Sequence, residues 1–222
     1  MKVVGLWSGG KDSFYACHLA RQAGHEIVAL FNFIDSDGHA SLSHGLDASV
    51  IALQAERTGI PLVQKKSPGR GEYRKFFIDL IQKWRESKGI EGVVFGDIYL
   101  QVHKDWIDAA CQEASVTPIF PLWEKDTRTL VREMVASGMK AVVVATDAKH
   151  LGKEWLGRIV DGDFLNALPE DIDACGEQGE FHTFVFDGPL FEKTIAFQKG
   201  KKVQQDGRWF MEIVVETESG MA

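Results

Sequence analysis

The chain has 222 residues, of which 45% are hydrophobic and 26% are charged, and its formal net charge is −7. This length allows one large domain or a domain with a smaller appended unit, and the composition is that of a globular protein rather than a disordered or fibrous one. The acidic balance argues against non-specific nucleic-acid binding, which needs a basic surface.

The spacing of the cysteines and the length of the apolar runs indicate in which cellular compartment the protein is expected. Cys17, Cys111 and Cys175 lie far apart and form no zinc-binding spacing, so neither a disulfide framework nor a structural metal is expected. No run of 18 apolar residues occurs, and the first residues lead directly into a strand pattern without the features of a signal peptide. We therefore expect a cytoplasmic protein that does not cross a membrane.

Short β-branched runs alternate with longer amphipathic stretches in the first two thirds of the chain. In the longer stretches apolar residues recur at steps of three and four, as they do in helices. The predicted strands are residues 3–7, 27–33, 62–64, 92–96, 119–122 and 141–145, and the predicted helices are residues 14–23, 46–58, 73–87, 104–114 and 127–136. This alternation predicts right-handed βαβ units in a Rossmann-like, doubly wound α/β domain with a mostly parallel sheet, residues 1–150.

The chain changes character after about Gly152. Loop-forming residues dominate up to Gly179, and residues 194–198 and 209–215 then flank a turn at Gln205-Asp206-Gly207, which predicts a hairpin. We expect a smaller C-terminal α+β unit, residues 151–222, that ends in antiparallel strands.

The first motif is Ser8-Gly9-Gly10-Lys11-Asp12-Ser13, between the first predicted strand and the first predicted helix. N–H groups at the start of a helix bind anions, and adjacent glycines let phosphate oxygens approach the backbone. Lys11 adds a positive charge. The pattern is neither a Walker A motif nor a dinucleotide-binding fingerprint. A tight turn with serine helix caps is the alternative, but the position in the fold favours a phosphate-binding loop.

This segment resembles the signature of the PP-loop ATP pyrophosphatases, which belong to the adenine-nucleotide α-hydrolase superfamily. The resemblance implies that the loop binds ATP, and that AMP is transferred to an acceptor while pyrophosphate leaves. Mg²⁺ is the ion expected with a triphosphate.

Polar residues follow two further predicted strands at the same edge of the sheet. Asp97 follows Gly96 after the fourth strand, and Asn32 ends the second. Ligands of parallel α/β sheets bind outside the carboxyl ends of strands, so we expect Gly96 and Asp97 to contact the nucleotide or Mg²⁺, with a helix N-cap as the alternative role of Asp97. The loop after Asn32 carries His39 and His44 and is a candidate for the adenine side; a surface role for His44 stays open.

The third motif spans residues 175–183 and is dense in polar side chains. Glu177 and Glu180 are candidates for general bases, ammonia-binding groups or Mg²⁺ ligands, with Gly179 and His182 beside them. Such density in a loop that leads into a strand favours a binding site. The spacing does not indicate a transition-metal site. A glycine turn with solvated acids and a buried histidine is the alternative.

This third motif, together with Asp187-Gly188-Pro189-Leu190-Phe191, is similar to the C-terminal signature of the diphthine–ammonia ligases, ATP-dependent amidases of archaea and eukaryotes. Similar stretches extend over nearly the whole chain. The resemblance implies that ammonia is the nitrogen donor and that elongation factor 2 carrying diphthine is the acceptor. It also implies an acceptor site made by Lys153, Glu177, Gly179, Glu180, His182 and Thr183, and catalysis by Lys11, Asp97, Glu177 and Glu180.

The chain departs from this family after the fourth predicted strand. Members that make diphthamide often carry a small residue in place of Asp97 and a Tyr-Gln-Arg run on the next helix, where this chain has Tyr99-Leu100-Gln101-Val102-His103-Lys104. The acceptor therefore stays open, and a bacterial source would exclude diphthine. The alternatives are a PP-loop enzyme acting on a small metabolite or on transfer RNA, and an adenine-nucleotide sensor without catalysis, similar to universal stress proteins. A monomer and a homodimer are both open.

Overall fold

The computed structural model describes residues 1–35, 37–38, 40–41, 44–69 and 71–215. His39, which we assigned to the predicted pocket loop, lies outside these residues. The strands are β1 (Lys2–Leu6), β2 (Glu26–Ile34), β3 (Leu62–Lys66), β4 (Gly92–Val94), β5 (Thr117–Ile119), β6 (Lys140–Asp147), β7 (Phe181–Asp187), β8 (Phe197–Gln205) and β9 (Arg208–Val215). The helices are α1 (Lys11–Gln22), α2 (Ala48–Thr58), α3 (Tyr73–Lys88), α4 (Gln101–Ala114), α5 (Thr127–Ala136) and α6 (Gly162–Ala167).

The first sheet is parallel, with strand order β3-β2-β1-β4-β5. Its two faces belong to two separate apolar clusters: Val3 packs with residues of α1 and α2, whereas Val4 packs with residues of α3 and α4. Helices therefore cover both faces, and the predicted doubly wound α/β fold is confirmed. The order of strands reverses between β1 and β4, which is where such sheets bind ligands.

The second sheet is antiparallel, with order β7-β6-β9-β8. Strand β6 belongs to it, although its pattern predicted a further strand of the parallel domain. Residues 141–146 are all buried, so the strand lacks the alternation that marks an antiparallel sheet with one exposed face. The two sheets thus divide between β5 and β6, before residue 150. The division of the chain into units at residue 150 stays a prediction.

The predicted C-terminal hairpin is confirmed, and its turn has the expected chemistry. Asp206 and Gly207 both have positive φ, 49° and 77°, between β8 and β9. Two such residues form the turn whose twist matches that of the paired strands, and Asp-Gly is a favoured sequence for it. Strand β8 runs up to this turn, whereas the pattern placed the first hairpin strand at residues 194–198.

Helix α1 and the loop before it lie against the second sheet. The buried side chain of Gln54, on α2, donates through Nε2 to the carbonyl oxygens of Gly9 (2.9 Å) and Val185 (2.7 Å). Its Oε1 accepts from Trp7 Nε1 at 3.1 Å. Because a buried amide is costly unless it is hydrogen-bonded, these contacts fix the loop between the sheets. Within the described part of the chain, every helix is too short or too polar to cross a bilayer.

Candidate active site

The loop of residues 8–13 leads from β1 into α1 and is held by short hydrogen bonds. Ser8 Oγ and Ser13 Oγ are 3.0 Å apart, and Ser13 Oγ donates to the carbonyl oxygen of Gly10 at 3.1 Å. Gly10 is the N-cap residue of α1 and has no side chain to cap it. No side chain of the N-cap residue therefore competes for the helix N–H groups, and anion binding at this helix start stays a prediction.

The two glycines of this loop are also required by packing. Gly9 has φ +87°, and a Cβ there would lie 2.4 Å from Cδ1 of Ile51. A Cβ on Gly10 would lie 2.3 Å from Nε2 of His44. Both distances are far below van der Waals contact, so the loop passes under α2 and His44 only because it lacks side chains at these positions.

Lys11 is almost fully buried, with 1% of its surface exposed. Its backbone N–H donates to Oγ1 of Thr183 (3.0 Å), and its Nζ donates to Oδ2 of Asp12 (2.9 Å) and to the carbonyl oxygen of Cys175. Burial alone would lower the pKa of Lys11, but the Asp12 carboxylate beside it, with smaller effects from Cys175 and Glu177, raises the pKa above its ordinary value. Lys11 thus stays positively charged in the site.

Gly96 and Asp97 lie beside this loop. A Cβ on Gly96 would come within 2.9 Å of the backbone of Asp12 and Ser13, so only glycine lets the chain after β4 approach α1 this closely. Oδ1 of Asp97 is 3.4 Å from Nδ1 of His103, and burial raises the Asp97 pKa although His103 opposes the shift. Helix α4 begins at Gln101 with Leu100 as N-cap, so the N-cap role considered for Asp97 is excluded.

Glu177 reaches the same place from the loop before β7. Its Oε1 accepts from the backbone N–H of Ile98 at 2.9 Å. The pKa of Glu177 is raised to about 7, mainly by burial; the Ile98 hydrogen bond opposes the shift, and the nearby Asp12 and Asp97 carboxylates support it. The side chain is therefore poised to exchange a proton near neutral pH.

Glu180 and Gly179 have a different position from the one we predicted. Glu180 is 5% exposed, and its carboxylate accepts from the backbone N–H groups of Gln178 (3.1 Å) and Asp173 (3.4 Å). Gly179 lies in the turn between Gln178 and Glu180 and has φ +91°. Neither residue lines the pocket, so within the described residues they shape the loop that presents Glu177.

Asn32 and His44 both line the pocket. The Asn32 amide donates to the carbonyl oxygen of Trp7 (2.8 Å) and to Oγ of Ser41 (3.2 Å), so it fixes the ends of β1 and β2. The His44 ring is 4.7 Å from that of His182, and burial, together with the neighbouring His182 and Lys11, lowers its pKa well below the ordinary value. These surroundings favour the neutral form of His44, and the residue is half-buried.

A pocket of about 330 Å³ opens between the two motifs. Its polar part contains Ser8, Lys11, Asp12, Ser13, Asp97, Glu177, His182 and Thr183. Its other part is apolar and includes Leu6, Phe33, Tyr73, Phe95 and Leu100, with His103 nearby. Sequence reasoning missed these apolar residues because they follow the same spacing as core residues.

Lys153 is not brought to this pocket. It lies in a 3₁₀ turn at Lys153–Trp155, with its Nζ 5.8 Å from the centre of the Trp209 ring. The described residues that line the pocket do not include it. An acceptor-binding role for Lys153 therefore has no support from the geometry.

A second pocket, of about 720 Å³, adjoins the first. It lies between the segment that enters α2 and the β8–β9 hairpin, and Val203, Phe210 and Met211 form part of its wall. His44 lines both pockets. His44 is therefore the residue that the two pockets have in common within the described part of the chain.

The acids of the first pocket fit a Mg²⁺ ion carried by a triphosphate better than a protein-bound metal. No group of three or more metal-ligating side chains occurs among the described residues. Oδ1 of Asp12 is buried and has no hydrogen-bond partner in that part of the chain. One carboxylate with a vacant oxygen beside a phosphate site matches the way proteins hold Mg²⁺ on nucleotides, mostly through phosphates and water.

Comparisons with known proteins identify the family of the chain. The family model described as the diphthamide synthase N-terminal domain matches residues 1–118, and that of the diphthamide synthase C-terminal domain matches residues 126–218. A protein of Danio rerio named diphthine–ammonia ligase is 32% identical, with 88% of this chain and 86% of that protein covered. The human protein of the same name is 29% identical, with 91% and 85% covered. The chain therefore belongs to the diphthamide synthase family.

Proposed function

We propose that this chain is an ATP-dependent ligase that converts a carboxylate of its acceptor into an amide; the name of its relatives, diphthine–ammonia ligase, supports the joining of ammonia to an acceptor. The observation that carries the proposal is the meeting of two distant segments at one pocket. Lys11 of the phosphate loop is hydrogen-bonded to both Thr183 and Cys175 of the third motif. A loop for the pyrophosphate of ATP and a titratable acid for the acceptor thus face one space.

In the first step a carboxylate oxygen of the acceptor attacks the α-phosphorus of ATP, an acyl adenylate forms and pyrophosphate leaves. Negative charge grows on the leaving group, and the start of α1 with the Lys11 ammonium stabilises it. The apolar residues Phe33, Tyr73 and Phe95 suit the adenine ring. Asp97 would position the nucleotide. Mg²⁺ would neutralise phosphate charge, with Asp12 as the residue that faces it.

In the second step ammonia attacks the acyl carbon, the new C–N bond forms and AMP leaves with the former carboxylate oxygen. The nitrogen must lose a proton in this step. Glu177, whose pKa is about 7, is the group proposed to accept it. Burial that raises this pKa also keeps water from competing with ammonia.

The second pocket is the proposed site of the acceptor. It has a size suited to a side chain or a small molecule, and it shares the lining residue His44 with the nucleotide pocket. The relatives' name suggests diphthine as the acceptor, and the proposed carrier of that diphthine is elongation factor 2.

A second candidate is the same chemistry on another acceptor. One observation favours it: Asp97 and His103, which both line the nucleotide pocket, fall where the sequence departs from the pattern of diphthamide-forming proteins. The difference thus lies in the wall of the site and not on a remote surface.

The test is to incubate the protein with ATP, Mg²⁺ and ammonium, with and without diphthine-bearing elongation factor 2, and to separate the nucleotides. We expect AMP and pyrophosphate in equal amounts, dependent on the acceptor, and their loss in Lys11→Met. Formation of ADP would refute the adenylation chemistry. AMP formation only with a different carboxylic acid would favour the second candidate.

A further inference from the structure

His182 lines the nucleotide pocket directly before Thr183, the residue that accepts a hydrogen bond from the first N–H of α1. On its other side, Nε2 of the His182 ring is 3.0 Å from Nη1 of Arg208, at the start of β9. The His182 ring therefore lies between the phosphate loop and the hairpin.

The contact with Arg208 determines where the ring carries its proton. A guanidinium group has only N–H donors and no acceptor, so in this hydrogen bond Nε2 of His182 must be the acceptor. An imidazole whose Nε2 accepts carries its hydrogen on Nδ1. Within the described residues the His182 ring makes its hydrogen bond through Nε2, and none is found through Nδ1, so the Nδ1–H remains for a ligand in the pocket that His182 lines.

The surroundings also keep the ring uncharged. Burial, with smaller effects from the positive charges of Arg208 and Lys11, lowers the pKa of His182 to about 4. The other titratable group that faces it, from the segment before α2, is His44, which burial keeps neutral as well. A neutral imidazole N–H binds an oxyanion without adding a full charge that would hold the product in place.

We propose that Arg208 is a positioning residue that fixes His182 as the neutral imidazole with its proton on Nδ1, and that this N–H donates a hydrogen bond to an oxygen of the nucleotide's phosphate chain. The second half rests on the proposed ATP site, whereas the tautomer is a property of the free protein. The tautomer and the hydrogen bond to the nucleotide can therefore be measured in separate experiments.

The tautomer is tested by ¹⁵N NMR of the histidine rings in the ligand-free protein, with the His182 signals assigned by their loss in His182→Asn. We expect a protonated Nδ1 and an unprotonated Nε2. Arg208→Met, which removes the donor but keeps much of the side-chain length, should populate the Nε2–H form. Lys149→Met, which removes an exposed cation near the hairpin turn, is the matched control and should leave the signals unchanged. An Nε2–H ring in the unmodified protein would overturn the proposal.

Binding of ATP with Mg²⁺ tests the ligand. The amide nitrogen of asparagine occupies the place of Nδ1, and that of glutamine the place of Nε2. His182→Asn should bind ATP within about threefold of the unmodified chain, whereas His182→Gln should bind about tenfold more weakly, as expected for one lost hydrogen bond to a charged group. Equal affinities of the two variants would overturn the assignment to Nδ1. Absence of ATP binding by the unmodified chain would refute the proposed function, while the NMR result would stand independently.

Discussion

The backbone N–H of Lys11 donates a hydrogen bond to Oγ1 of Thr183, and the N···O distance is 3.0 Å. The two residues are 172 positions apart, on the first turn of α1 and on a strand of the second sheet. The N–H is one of the groups that a helix leaves without an internal partner at its start. The second sheet therefore holds the phosphate loop in the position in which it is proposed to bind ATP.

Replacement of Thr183 by valine removes this acceptor and keeps the shape of the side chain. The buried N–H of Lys11 then lacks a partner, so we expect the free energy of unfolding to fall by about 1–3 kcal/mol. ATP binding should weaken by about tenfold, because the start of α1 is less well fixed. Calorimetric titration and chemical denaturation measure both effects. Thr183→Ser keeps the hydroxyl and should restore ATP binding; a serine variant as weak as the valine variant would contradict the role of the hydrogen bond.

Glu177 should destabilise the fold near neutral pH. Its pKa rises from 4.5 to about 7 on folding, so between these values the folded chain binds more protons than the unfolded chain. Stability attributable to this group therefore falls as pH increases through that window. Glu177→Gln, which can still accept from Ile98, should raise the unfolding free energy at neutral pH by about 1 kcal/mol, or the melting temperature by about 2–4 °C.

The same variant should lose amide formation by about a hundredfold, because the proton acceptor is gone. If Glu177→Gln gains stability and loses activity, Glu177 serves the reaction; a carboxylate with a structural role would lose stability on replacement. Glu86→Gln, on an exposed helical position, is the control for the loss of one negative charge. If Glu177→Gln is less stable than the unmodified chain at every pH, burial of an ionisable Glu177 is refuted.

Gly96→Ala tests the close approach of the segment after β4 to the backbone of Asp12 and Ser13 at the start of α1. Its Cβ would come within 2.9 Å of backbone atoms that cannot rotate away, so we expect a loss of about 1–3 kcal/mol in stability and a large loss of ATP turnover. Gly162→Ala, at the start of α6, has open space around the new methyl group and is the control. Normal turnover in Gly96→Ala would show that this approach is not needed for the site.

Val203→Trp tests the second pocket. Val203 is 51% exposed and lines that pocket, so a bulky ring there should obstruct the acceptor and leave the nucleotide pocket intact. We expect the KM for the acceptor to rise by about tenfold and the Kd for ATP to stay within about twofold. Val102→Trp places the same ring at an exposed position, 80% accessible, on α4 and is the matched control. An unchanged KM in Val203→Trp would exclude this pocket as the acceptor site.

The parallel sheet and the phosphate loop were predictable because their signals are local. Period and turn chemistry specify each strand and helix, and Ser8 to Ser13 combine glycines, a cation and a strand-to-helix position. The sheet to which β6 belongs was not predictable, since a strand buried on both faces has the same pattern in either sheet. The sheet to which β6 belongs depends on packing against segments that are distant in the sequence.

For the third motif, residues 175–183, the sequence indicated a candidate site but not which of its residues line the pocket. Glu177 and Glu180 are three positions apart, yet the turn at Gly179 directs one carboxylate to the pocket and the other to loop N–H groups. The sequence did not indicate Arg208 or Tyr73 as site residues, because charged residues at hairpins and aromatic residues at helix starts are common in globular proteins. Their positions depend on contacts between distant segments.

The most direct measurement of the central claim is the fate of a carboxylate oxygen. The acceptor is labelled with ¹⁸O in its carboxylate and incubated with the protein, ATP, Mg²⁺ and ammonium. The masses of the nucleotide products are then measured by mass spectrometry. Adenylation predicts AMP that carries one ¹⁸O atom for each amide formed, since the attacking oxygen leaves with the phosphate. ADP as the product, or AMP without ¹⁸O while amide accumulates, would contradict the account.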